Sequence, residues 1–433
     1  MNRKILHLAI PNIISNVTIP LLGLVDMALM GHLDSEVYIG AVSLGTVLFN
    51  FIYWGFSFLR MGTSGFTAQS YGEGNQAETF NILARALMIS TLISALIILL
   101  QVPIEWIAFK AINGSKEVEG LAREYFRIRI WAAPATLGLY ALNGWFLGMQ
   151  NARYVMVTSI LANIFNLVFS FIFVYFLHMN SAGVAWGTVI AQYAGILTGL
   201  FLLQKKYKYL LNFRDRKAIF DLDAMKNFFR VNSDIFIRTF CVILVFTFFT
   251  SKSASISDHI LAVNSILIQF LLFFAFFIDG FALAGEALAG KYKGERRRDL
   301  FTELTRRLFV WGIGLALVFS FLFLVGNKFI IGLLTNQEGL YETASQFMVW
   351  VILTPLITFS SFIWDGIYIG VTASKEMRNS MLAATLLLFA PSFYFLQAIL
   401  GNHALWLAMM LFMLGRGLFQ TILFPKVMSK SFK

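Results

Sequence analysis

Apolar residues along this chain gather in long unbroken runs divided by short polar stretches. Twelve runs can be drawn, at 7–31, 38–60, 79–103, 123–148, 154–178, 182–203, 226–250, 257–285, 301–326, 342–370, 377–400 and 402–425. About 20 apolar residues are what an α-helix needs to cross ~30 Å of hydrocarbon. The pattern predicts an all-α integral membrane protein with twelve transmembrane helices. The first run is too long for a cleavable signal peptide and lacks a small-residue cleavage site, so it is expected to remain as a helix.

The runs repeat across the chain. Asn143-Gly144 through Gly148 returns as Asp365-Gly366 through Gly370, a shift of 365 − 143 = 222 residues. Gly72 recurs as Gly294, and Gly195 as Gly417, at that same shift. A duplicated bundle follows, with six helices at 1–203, a polar and basic linker at 204–225 and six more helices at 226–433. Six is an even number, so both lobes enter the membrane from one side. They are then related by pseudo-symmetry about the membrane normal, with a cavity expected between them.

Composition sharpens this picture. Hydrophobic residues make up 58% and charged residues 13%, against about 25% charge in soluble domains. Forty-six Phe and only seven Pro favour lipid-facing helices over barrel strands, which alternate apolar and polar residues. Cys241 is the only cysteine, which excludes an intrachain disulfide and a thiolate metal cluster.

The net charge of +11 is explained by where it lies. Arg3 and Lys4, Lys205 to Lys217, Lys291 to Arg298, Lys375 and Arg378, and Lys426 to Lys433 fall on one side if the helices alternate. The opposite loops carry few bases. By the positive-inside rule both termini are cytoplasmic, in a cytoplasmic (inner) bacterial membrane. The charge is assigned to topology and anionic lipid, not to nucleic acid. Arg123, Arg127 and Arg129, at the outer end of segment four, are expected to snorkel toward the headgroups.

Ionisable residues inside the bilayer cost about 2.5–3.5 kcal/mol each on insertion scales, so each requires a reason. Asp26 has no Lys or Arg within a turn or two, in a helix that Pro11 and Pro20 make bendable. It is read as a proton-exchanging carboxylate, with a plain interhelical hydrogen bond as the alternative. Asn143, Asn166, Ser170 and Thr188 occupy segments four to six of the same lobe. They fit either interhelical glue or a joint ion or proton site. In the second lobe, Asp234 and Arg238 stand four apart and are expected to pair with each other. Asp279 and Glu286 share a face of segment eight, Asp365 replaces Asn143 in the repeat, and Arg416 is a candidate partner for an acid. These acids divide between structural pairing and a role in coupling.

Enzyme signatures are absent. No phosphate-binding Gly-Lys loop, zinc-protease helix, nucleophile elbow or Cys/His metal spacing occurs, so neither an enzyme nor a resident cofactor or metal is expected. Without an ATP-binding element, uphill transport must draw on an ion gradient.

Leu8-Ala-Ile-Pro11 and Leu21-Leu-Gly-Leu-Val-Asp26 through Gly31-His32-Leu33 resemble the first helix of the multidrug and toxic compound extrusion (MATE) family. Phe58-Leu-Arg-Met-Gly-Thr-Ser-Gly-Phe-Thr-Ala-Gln-Ser-Tyr-Gly-Glu-Gly-Asn75 resembles the end of its second helix, in the form typical of the DinF-like branch. Asn143 to Gly148, Trp364 to Gly370 and Met377 to Met381 fit the paired motifs of its lobes. The resemblance spans almost the whole chain. It implies a V-shaped pair of six-helix lobes exporting amphipathic, often cationic compounds against inward H⁺ or Na⁺.

It also implies that Asp26 is the coupling carboxylate and that Asn143, Asn166 and Thr188 lie on polar positions of the same lobe. Ser170 stands where that branch commonly has an Asp, which favours a one-carboxylate proton site over Na⁺. The expected function is H⁺-coupled antiport by alternating access, by a monomer. The alternatives are a Na⁺-coupled antiporter using Asp234, Asp279 or Asp365, and a flippase for lipid-linked saccharides.

Overall fold

The computed structural model describes the backbone of residues 1–31, 35–111, 115–213, 216–334 and 338–432. It describes their side chains too, except those of 19, 21–22, 24–28, 31, 36, 111, 211, 216, 333–334 and 338. Among the described residues there are helices and turns and no strand. α1 (Asn2–Gly31) precedes α2 (Glu36–Gly55) and α3 (Phe58–Gly72), which form one span interrupted at Phe56 and Ser57. Then come α4 (Gln76–Leu99), α5 (Gln101–Ala111) and α6 (Lys116–Arg129), the last joined by a 3-10 turn (Ile130–Ala132) to α7 (Ala133–Gly148). α8 (Ala152–Phe171) ends in a wide π turn (Ile172–Phe176). α9 (Asn180–Tyr207) ends in a 3-10 turn (Lys208–Phe213) before the one-turn α10 (Arg216–Ile219). The second half holds α11 (Leu222–Ile256), α12 (Asp258–Gly294), α13 (Arg298–Leu334) and α14 (Glu338–Gly370). α15 (Ser374–Ala383) runs through a π turn (Ala384–Phe389) into α16 (Ala390–Leu400), and α17 (Asn402–Ser431) closes the chain.

All twelve apolar runs lie on helices. Ten helical stretches are long and apolar enough to cross a membrane, and the other two runs are α1 and the α6–α7 pair. Leu99, Phe395 and Ile399 are each more than three-quarters exposed, a cost in water that lipid removes. The protein is an integral membrane protein. Hydropathy did not foresee α5 or the polar part of α6. α6 is set by other signals: Ser115 accepts from Val118 N at its start, Glu117 and Glu119 fill the first turn, and Arg127 and Arg129 the last. Those charges complement the helix dipole.

The helices group into two compact units, one of Ile14–Phe229 (the first unit) and one of Met1–Ile13 with Arg230–Lys433 (the second unit). The division falls within α1, between Pro11 and Pro20.

Within each unit the backbone repeats the 222-residue shift. A Cβ on Gly144 would run into the carbonyl oxygen of Arg60, and one on Gly366 into that of Ala282, where 60 + 222 = 282. Gly148 meets the Ser64 carbonyl as Gly370 meets that of Glu286. Only glycine allows the helix backbones to approach this closely. The turns match as well. Asn75 N bonds Ser70 O as Arg297 N bonds Tyr292 O, and Asn151 N bonds Phe146 O as Ala373 N bonds Tyr368 O.

The segment after α9 is tied down within the first unit. Arg85 on α4 is buried and donates to the carbonyls of Ala218 (2.6 Å) and Ile219 (3.0 Å) at the end of α10, and to Glu78 (2.6 Å). Nearby, Trp145 Nε1 donates to Thr79 O at 2.9 Å and packs edge-on against Tyr207. Charge-assisted bonds from a buried guanidinium are strong ones. Arg85→Ala is therefore expected to free α10, raising the rate of tryptic cleavage after the exposed Lys217 about tenfold or more. An unchanged cleavage rate would show that the latch does not hold the segment.

Candidate functional site

The polar residues of the first unit lie on one face of α8. Thr158, Ala162, Asn166 and Ser170 recur every fourth residue and are all buried, a stripe about 18 Å long. α9 offers small residues opposite, with Gly187 against Ser170, Gly195 against Ala162 and Gly199 against Thr158. Thr158 Oγ1 donates to Asn143 Oδ1 at 3.0 Å. Asn166 Nδ2 donates to Thr188 Oγ1 at 3.0 Å, and Thr188 Oγ1 donates on to Val184 O. Asn166 Oδ1 and Ser170 Oγ are buried without a hydrogen-bond partner among the described residues.

The structure thus places Asn143, Asn166, Ser170 and Thr188 along one seam. Their hydrogen bonds fall into two groups rather than one. Thr158 is a member that sequence reading missed, although extending the four-residue spacing of Asn166 and Ser170 backward by two steps reaches it.

Asp26 lies on α1, and its side chain lies outside the described residues. What the structure does give is the last turn of that helix. Tyr175, in the π turn that ends α8, donates its hydroxyl to Leu29 O at 3.4 Å. That bond joins the helical turn just beyond Asp26 to the π turn that follows the Ser170 end of α8. Pro11 and Pro20 both sit within α1, which runs unbroken from Asn2 to Gly31.

The second unit carries a buried ionic cluster at the repeated position. Asp365 Oδ2 on α14 accepts from Arg238 on α11 and from Arg416 on α17, the latter at 2.6 Å. Its Oδ1 accepts from Gln420 Nε2 at 2.8 Å. Arg416 Nη1 faces Met413 Sδ at 3.0 Å, and the guanidinium stacks over Phe362 and Phe412. Asp279 on α12 is close enough to act electrostatically on Arg416, and Glu286 is buried further along α12. Arg416 is indeed the partner of an acid.

The expected pairing of Asp234 with Arg238 is wrong. Asp234 accepts from Arg378 and from Ser374 Oγ (2.9 Å) on α15, while Arg238 turns to Asp365. Two charges one turn apart on a helix share a face, yet these two meet different helices, α15 and α14. Each is satisfied there by an opposite charge from another helix. Gln420 and Ser374 gave no sequence signal, because both are ordinary polar residues until their neighbours are known.

At the far end of the first unit, Arg123 and Arg127 do not simply reach for headgroups. Both bind Glu105 of α5, at 3.2 and 2.9 Å, and Arg123 also binds Glu119 at 2.5 Å. Burial alone would raise the Glu105 pKa, but the hydrogen bonds and charges of Arg127 and Arg123 outweigh it and hold the carboxyl below its ordinary range. Arg129 instead donates to Tyr125 Oη (2.7 Å) and Thr46 Oγ1 (3.3 Å).

A duplicated bundle of membrane-crossing helices is a construction that many transporters share. A family model described as MatE matches residues 11–172 and again 235–395. The chain belongs to the MatE family. The two matches, one in each half, coincide with the duplication seen in the backbone.

DNA damage-inducible protein F of Escherichia coli (strain K12) is 38% identical over 421 residues, covering 96% of this chain and 90% of that protein. This bears out the DinF-like resemblance. A crystal structure of MATE in the bent conformation superposes with a TM-score of 0.87, covering 100% of this chain and 97% of that one at 20% identity. The outward-facing conformation of a multidrug resistance MATE family transporter of the MOP superfamily gives 0.83 at 20% identity, covering 99% and 96%. At such identity these two speak for the fold.

Proposed function

We propose that this chain exports small amphipathic compounds, organic cations among them, from the bacterial cytoplasm in exchange for protons that enter through Asp26. The observation that carries the reading is the Tyr175–Leu29 hydrogen bond, which ties the last turn of α1, one turn beyond Asp26, to the π turn five residues past Ser170. Asn166 Oδ1 and Ser170 Oγ leave acceptor oxygens in the polar seam of α8. An acid that gains a proton also gains a donor, so protonation changes which of its neighbours it can bond. The proline-bearing α1 is the element such a change would bend. Each unit by which the Asp26 pKa differs between the two states supplies about 1.4 kcal/mol of drive.

Support for H⁺ over Na⁺ comes from the second unit. Asp365 and Asp234 already accept from guanidinium groups. A carboxylate so engaged has little charge left for a cation, and releasing it would leave arginines buried without a partner. The topology proposed with this function puts both termini and the basic loops in the cytoplasm, on the positive-inside rule.

The test is reconstitution in liposomes, following a fluorescent organic cation under an imposed H⁺ gradient and, separately, a Na⁺ gradient. Transport under the H⁺ gradient alone is expected. Transport under Na⁺ alone would overturn the proton reading and direct attention to the second-unit acids. Failure of several cations under both gradients, with folded protein, would leave the lipid-linked saccharide flippase as the better reading.

A further inference from the structure

The indole N–H of Trp350 on α14 donates to Nδ1 of His403 in the first turn of α17, at 3.0 Å. An indole nitrogen can only donate. Nδ1 of His403 must therefore hold a lone pair, which requires a neutral ring. An imidazolium carries N–H on both nitrogens and cannot accept this bond, so protonation sets one N–H against the other.

The surroundings give that bond a mechanical role. Phe347, one turn before Trp350, packs on the same imidazole with ring centroids 4.6 Å apart. The start of α17 is anchored independently, because Asn402 and Asn264 of α12 exchange two hydrogen bonds of 2.8 and 3.0 Å. Asn264 also accepts from Trp406 and donates to Ser253 of α11. α14, by contrast, contains Pro355, five residues beyond Trp350. Proline has no N–H, so the Val351 carbonyl loses its helical donor and the helix can bend there. Trp350 grips α14 on the turn just before this weak point.

Among the described residues, the charged side chains and histidines at this end of the unit besides His403 are Lys252 on α11, Asp258 and His259 on α12, Lys328 on α13 and Glu342 on α14. His259 Nε2 is bonded to Thr343 Oγ1 at 2.8 Å. Among the described residues no charged group pairs with His403, whose ring meets the neutral Trp350 and Phe347.

We propose that Trp350 and His403 form a proton-released latch. While His403 is neutral the latch braces α14 against α17; when the ring takes up a proton the latch opens and α14 is freed to bend at Pro355. The bend is transmitted along the same helix toward Asp365, ten residues beyond Pro355, which holds Arg238 and Arg416. The latch lies at the end of the second unit opposite the basic loops, so on the topology proposed above it reads the pH outside the cell. The latch itself stands on the hydrogen bonding and does not depend on which compound is carried; only the side of the membrane it faces rests on the topology proposed above.

Hydrogen exchange of α14 peptides covering residues 344–356 tests it, at pH 7.5 and 5.5, with the intrinsic pH dependence of amide exchange divided out. Loss of one hydrogen bond corresponds to about three- to tenfold, and exchange in the wild-type protein is expected to rise by that factor at the lower pH. Trp350→Phe cannot form the bond at either pH and is expected to exchange fast at both. His403→Gln offers an acceptor oxygen that does not titrate, and is expected to lose the pH response. No rise in the wild type, or the same rise in both variants, would overturn the latch.

Discussion

Replacing Asp26 by Asn is expected to reduce H⁺-driven efflux to the level of protein-free liposomes, a loss of at least tenfold, without lowering the yield of folded protein. The substitution keeps the shape and a hydrogen-bonding capacity but removes the one property a coupling carboxylate needs, a proton that can be taken up and released. Free-energy drive comes from a difference in proton affinity between the two conformations, about 1.4 kcal/mol per unit. A side chain that does not titrate contributes none. Binding of the carried compound is a separate matter and is expected to survive, so fluorescence titration in detergent should give a Kd within a few-fold of the wild type. Retention of H⁺-driven efflux by well-folded Asp26→Asn would remove Asp26 from the mechanism. Ser170 sharpens the case, since a second carboxylate at its position would share the load and blunt the effect.

Asp365→Ala is expected to be the most destabilising single change in the second unit. Asp365, Arg416 and Gln420 are at most 5% exposed, and one carboxylate meets both guanidiniums. Removing one partner of a buried ion pair costs about 3–5 kcal/mol, because the remaining charge is left uncompensated. The expected readout is a fall of several degrees in the midpoint of thermal aggregation, followed by size exclusion in detergent, or failure to recover a monodisperse protein.

Asp365→Leu combined with Arg416→Met and Arg238→Met should recover part of the loss, since neither guanidinium is then left without its carboxylate. The equivalent position of the first unit provides the contrast. Asn143 holds a single neutral bond from Thr158, so Asn143→Ala should cost only about 0.5–1.5 kcal/mol. An Asp365→Ala protein as stable as the wild type would mean that the two arginines find other partners.

Hydropathy placed every one of the twelve spans, because burial in lipid is decided by local composition over about 20 residues. It could not see α5 or the charged part of α6. These lie at a span's edge and are stabilised by Ser115, the first-turn acids and the Glu105 contacts instead of by apolar length. The duplication was also legible, through glycines whose spacing is dictated by helices that touch backbone to backbone. Of the candidate site, Asn166 and Ser170 of the α8 stripe could be read from their four-residue spacing; Asp26 stands out in the chain by the absence of a nearby base, and its side chain lies outside the described residues.

The pairing of charges could not be read in this way. Asp234 and Arg238 lie one turn apart, the spacing at which a helix allows a salt bridge. Yet Asp234 is held by Arg378 and Ser374, and Arg238 by Asp365. The same holds for His403, an unremarkable residue in the chain until α14 sets an indole N–H against its ring. The sequence by itself determined the membrane class, the apolar spans and the twofold repeat, since each follows from the composition and spacing of residues along a segment. Which acid meets which base, and which histidine faces an indole N–H, was decided by the tertiary structure, because these depend on side chains brought together from helices about fifty to a hundred and fifty residues apart, at a rotation only packing fixes.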